Sequence, residues 1–138
     1  MISIIMGSKG SGKTKAFIDK ANSAAVEETG TVVFIMKGDR HKFDLKSSVR
    51  FIDTSDFELD SYKVFYGFIC GIISRDYDIT HIFIDSVTKI VNSDLEKLST
   101  FLGYIEKISE QFNIKFTLTV SSDTADAPDG LHKYLISY

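Results

Sequence analysis

Gly7-Ser8-Lys9-Gly10-Ser11-Gly12-Lys13-Thr14 fills every fixed position of the pattern G-x-x-x-x-G-K-[ST]. Immediately before it, Ile2 to Met6 is a short apolar run of the kind that forms a buried strand. After it, Phe17, Ile18, Ala21 and Ala25 recur at helical spacing from Lys13 to about Ala25. The expected unit is therefore strand, loop, helix. Glycines let the backbone wrap closely round a phosphate, so that several N–H groups and the positive end of the helix point at it. In this pattern Lys13 neutralises the β- and γ-phosphates, and the Thr14 hydroxyl is a ligand of Mg²⁺.

Further along the chain, apolar runs alternate with helical periods. Thr31 to Met36 reads as a second strand buried on both faces, Val49 to Ile52 as a short one, and His81 to Asp85 as a third strong strand. A helix is expected over roughly Asp60 to Arg75. Ser93 and Glu96 have the spacing of a capping box ahead of Leu95, Leu98, Leu102, Ile105 and Ile108, which share one helical face. Ile114 to Val120 completes a fourth strand, Asp126 to Gly130 a turn around Pro128, and Lys133 to Tyr138 a last strand. The pattern predicts one α/β domain over residues 1–138, a three-layer α/β/α arrangement with a mainly parallel sheet.

Composition agrees with that picture. The chain has 138 residues, 43% of them hydrophobic, which is enough for one core without a partner. Lys plus Arg is 16 against 19 for Asp plus Glu, a balance that argues against a general affinity for nucleic acid or acidic lipid. Cys70 is alone among apolar neighbours and reads as a buried thiol, in keeping with a reducing cytoplasm. Met1 to Met6 lacks the charged start of an export signal, and Val64 to Ile73 is too short to span a bilayer. His41, His81 and His132 are too scattered to hold a metal, so the only metal expected arrives with nucleotide.

Ile82, Phe83, Ile84 and Asp85 have the form of a Walker B strand, whose terminal carboxylate holds the metal through water or bonds to the loop hydroxyl. With the P-loop, the segment Ile84-Asp85-Ser86-Val87-Thr88 resembles the RecA-like ATPases, including the recombinases and the KaiC-type proteins. That resemblance implies ATP with Mg²⁺, a sheet of order 5-1-4-3-2 and nucleotide at the carboxyl ends of the strands. It also implies a catalytic glutamate, either directly after Asp85 or at the end of the second strand. Ser86 stands at the first position, and Met36-Lys37-Gly38-Asp39 at the second.

Asp39, or Asp53 after the short strand, is left as a base, and hydrolysis is expected to be slow or absent. Ser121, at the end of the fourth strand, is placed to sense the γ-phosphate if that strand lies between those of the loop and of Asp85. Lys37, Arg40, His41, Lys42, Lys46 and Arg50 gather after the second strand, and Arg40 is the first candidate to reach the γ-phosphate, in cis or across a homo-oligomer interface. The expected role is an ATP-dependent switch acting on a partner protein. The alternatives are a small-molecule phosphotransferase and a nucleotide-binding scaffold. No Arg follows Arg75, where a kinase lid would carry them, and no N-K-x-D guanine motif is present.

Overall fold

A computed structural model describes all residues, Met1 to Tyr138. Nine regular elements follow one another: β1 (Ile2–Gly7), α1 (Lys13–Glu27), β2 (Thr31–Met36), β3 (Arg50–Asp53), α2 (Tyr62–Arg75), β4 (Ile79–Ile84), α3 (Val87–Val91), α4 (Leu98–Phe112) and β5 (Lys115–Ser121). The five strands form one parallel sheet of order β1-β5-β4-β2-β3. No helix is long and apolar enough to cross a membrane.

Strand residues alternate between two cores, so helices cover both faces of the sheet. On one face Ile5, Phe34 and Phe83 pack with Phe17, Ile18 and Ala21 of α1. On the other, Ile4, Ile35, Ile82, Ile84 and Leu118 pack with Phe65 and Ile69 of α2, Val87 and Ile90 of α3, and Leu102 and Ile105 of α4. Continuous apolar runs are what a parallel sheet buried on both sides requires. The expected nearness of Ser121 to the loop depends on β5 lying between β1 and β4, and it does.

Three expectations are corrected. Ser93 and Glu96 do not cap α4, which begins at Leu98 behind Lys97 with no side-chain cap. The chain instead forms the short α3, ends it at Asn92 in the left-handed conformation, and returns the Ser93 amide to Thr88 O at 3.3 Å. Asn tolerates that conformation, so the helical period is broken before Ser93. The strand expected at Lys133 to Tyr138 is a 3-10 turn, Asp129–Tyr134, that buries Leu131 and Tyr134. Leu135 and Ile136 then pair with the edge of β1, through one parallel bridge to Ile4 and a bond from Ile136 N to Ile4 O of 2.9 Å. Cys70 is half-buried on α2 rather than enclosed, because it flanks the helical stripe of Phe65, Ile69 and Ile73 that faces the core.

Candidate functional site

Gly10 and Gly12 have φ of +87° and +86°, and no neighbouring atom lies within 4 Å of a Cβ built on either. The left-handed turn at Gly12 starts α1 without a side-chain cap. Of the backbone amides from Ser8 to Lys15, only that of Ser11 finds an acceptor, Ser8 O at 3.2 Å. A helix start with free N–H groups and no capping oxygen is suited to an anion, which supplies the missing acceptors.

Lys13 is buried, 5% exposed, and forms no ion pair. Its Nζ donates to Ser121 Oγ at 3.1 Å, across the loop from β1 to the end of β5. A buried ammonium with a neutral hydroxyl for a partner is incompletely compensated, an environment that suits an anionic ligand.

Lys13 and Ser121 share a cleft of about 510 Å³ with Lys9, Gly10, Thr14, Lys37, Asp39, Arg40, Asp85, Ser86 and Lys89. Five cationic side chains and two carboxylates line it, in a chain whose net charge is −3. The sequence-derived candidates Lys9, Gly10, Lys13, Thr14, Asp39, Arg40, Asp85 and Ser121 are thus brought together. Gly7, Ser8, Ser11 and Gly12 complete the loop without lining the cleft, and Gly7 is crowded: a Cβ there would lie 2.7 Å from both Ser11 Oγ and Tyr138 Oη.

Asp85 is 8% exposed, and its amide donates to Ile35 O at 2.9 Å, continuing the ladder of β4 against β2. One carboxylate oxygen, Oδ1, accepts from Thr119 Oγ1 at 3.0 Å. Oδ2 accepts only from Ser86 Oγ, at a long 3.3 Å, and is the freer atom. Ser86 has φ of +51°, an uncommon conformation for a residue with a side chain, and its amide donates to Thr119 Oγ1 at 2.7 Å. Thr119 therefore ties the carboxylate to the strained turn behind it.

Asp53 is committed elsewhere. Its Oδ1 accepts from the Gly38 amide at 2.7 Å, the Ser55 amide at 2.9 Å and Ser55 Oγ at 2.7 Å. The bonds from Ser55, with that from Gly38, hold its carboxyl below the usual range. It anchors the loop of Gly38, whose φ is +100° and which carries Asp39 and Arg40 to the cleft. Asp39 has no such ties.

No three His, Cys, Asp or Glu side chains gather as a cage for a resident metal. Mg²⁺ carried by phosphates keeps several waters and needs only one or two protein ligands. The Thr14 hydroxyl and the free side of Asp85 line the same cleft and fit that need.

Within the fourth strand Thr119 is not singled out by the sequence reading, yet Thr117, Thr119 and Ser121 alternate there. That period of two puts three hydroxyls on one face of β5, where they meet His81, Asp85 and Lys13 in turn. Lys89 reaches the cleft because α3 folds back after Ser86, and nothing in the sequence pattern announces it. No protein-family model and no curated protein matches this chain.

Proposed function

We propose that this chain is a P-loop protein of RecA-like type that binds Mg²⁺-ATP through Gly7 to Thr14. Its role is that of a nucleotide-dependent switch for a partner protein in the cytoplasm. The observation that carries this reading is the buried Lys13, free of any carboxylate, beneath a loop whose amides have almost no internal acceptors. In this reading the phosphates take those amides, Lys13 lies against the β- and γ-phosphates, and Thr14 with Asp85 holds the metal.

The strand order supports the RecA-like assignment. With β3 set aside, β1, β5, β4 and β2 lie as 1-4-3-2 of the expected order, and beyond β1 the chain adds a single bridge at Leu135 and no strand. Ser86 occupies the position of the family's glutamate, and Asp39 is the cleft carboxylate left to act on water, so turnover is slow.

Calorimetry of the intact protein with ATP, with and without Mg²⁺, tests the reading beside Lys13→Ala. Binding by the intact protein and a loss of at least about tenfold in the variant are expected, since a charged hydrogen bond contributes roughly 1.5–3 kcal/mol. Absence of binding by the intact protein would sink the proposal. Single-turnover hydrolysis at the rate of Lys13→Ala would reduce the chain to a nucleotide-binding scaffold.

A further inference from the structure

Resting on the nucleotide reading above, we infer that the site selects the triphosphate and not the base, so that purine and pyrimidine nucleoside triphosphates bind alike. The cleft's lining is almost wholly phosphate chemistry: five cations, two carboxylates, small hydroxyls and glycine. Its one apolar residue is Met36, which is buried, and it contains no aromatic ring and no amide side chain. Reading a base requires donors and acceptors fixed against its edge. Asn and Gln side chains are absent from the cleft, and in this reading its Lys, Arg and Asp side chains are taken up by the phosphates and the metal.

Phe43 follows the Gly38–Arg40 loop in the chain, Tyr138 touches the P-loop, and both rings are exposed. Phe43 is 93% exposed, but its segment is fastened to the middle of α1, where Asn22 bonds to Asp44 O at 3.0 Å and accepts the Lys46 amide at 2.8 Å. Asn22 is eight residues, or about two helical turns, further along α1 than Thr14 and so away from the helix start. Tyr138 is the ring that meets the loop itself: its hydroxyl donates to Ser11 O at 3.4 Å and lies against Gly7. A ring offers a stacking surface, and every base has a face to stack, so Tyr138 adds affinity without choice.

Competition calorimetry with ATP, GTP, CTP, UTP and inorganic tripolyphosphate, each with Mg²⁺, tests this on the intact protein and on Tyr138→Ala. The four nucleotides are expected to agree within about threefold, because one base-reading hydrogen bond would separate them by roughly tenfold. Tripolyphosphate is expected to compete at the same site. Tyr138→Ala is expected to weaken all four nucleotides equally. Preference for one nucleotide by more than about threefold, its selective loss in Tyr138→Ala, or failure of tripolyphosphate to compete would overturn the inference while leaving the P-loop reading intact. Binding of no polyphosphate at all would instead remove the reading on which it rests.

Discussion

Thr119 Oγ1 donates to Asp85 Oδ1 at 3.0 Å and accepts the Ser86 amide at 2.7 Å, so one fully buried hydroxyl fixes both the carboxylate and the turn that follows it. Thr119→Val keeps the shape and removes both bonds. The expected loss is about 2–4 kcal/mol of stability, because a buried amide and a buried carboxylate oxygen are left unmatched. A purely structural role would end there. If Asp85 holds the metal, the Mg²⁺ dependence of nucleotide affinity also weakens in Thr119→Val and returns in Thr119→Ser. Urea unfolding and calorimetry at two Mg²⁺ concentrations check the two halves separately.

Glycine replacements divide by backbone conformation. Gly12 has φ of +86° and open space around its missing side chain. Gly12→Ala is therefore expected to cost about 1–2 kcal/mol from the backbone alone and to disturb the amides at the start of α1. Gly67 lies within α2, is exposed, and also leaves nothing within 4 Å of where a Cβ would stand, but its φ is ordinary. Gly67→Ala is expected to stabilise by roughly 0.5–1 kcal/mol. Chemical denaturation of the pair separates conformational strain from steric room.

Residues whose job is local were readable in the sequence; of those that meet another element, Ser121 was readable through the expected strand order and most others were not. The strand, loop and helix around Gly7 to Thr14 follow from apolar period and glycine placement, and so does Asp85 at the end of β4. Thr119 acts across two strands, and its partners lie 33 and 34 positions away. The same holds for Asp53, an alternative base in the sequence, whose bond to the Gly38 amide instead makes it the anchor of the Asp39–Arg40 loop. The failed capping box at Ser93 has a related cause. Its spacing is right, but the left-handed Asn92 ends α3 there and delays the next helix to Leu98.

His81 gives the chain a pH dependence of definite sign. Burial pulls its pKa from 6.5 to about 4, with Lys115 pushing the same way and Glu28 opposing. Its Nε2 lies 2.8 Å from Thr117 Oγ1, its Nδ1 is buried without a partner, and its ring stacks on Phe83 at 4.1 Å. Below pH 6.5 the unfolded chain takes up a proton that the folded chain refuses until about pH 4. Stability from the neutral imidazole is therefore full above pH 6.5 and is lost as pH falls towards 4, by at most about 3 kcal/mol. Urea midpoints measured between those values are expected to fall less steeply in His81→Leu, and the difference between the two slopes isolates this group from the carboxylates.

Phe17 links the core to the loop. It lies one turn beyond Lys13 on α1, and its ring meets Phe34 at 5.3 Å and Phe83 at 5.4 Å, both at inclined angles favourable to aromatic pairs. All three rings are within 1% of full burial, so Phe17→Ala opens a cavity that the sheet cannot close and is expected to cost about 3–5 kcal/mol. Phe17→Leu fills most of the space and keeps enough stability for binding to be measured. Because α1 docks through this side chain, a shift of the helix start moves the free amides and Lys13 together. Phe17→Leu is therefore expected to weaken nucleotide binding although it lies outside the cleft. Calorimetry at a temperature where the variant is fully folded checks this, and an unchanged affinity would mean that β1 and β5 hold the loop without help from the Phe17 contact.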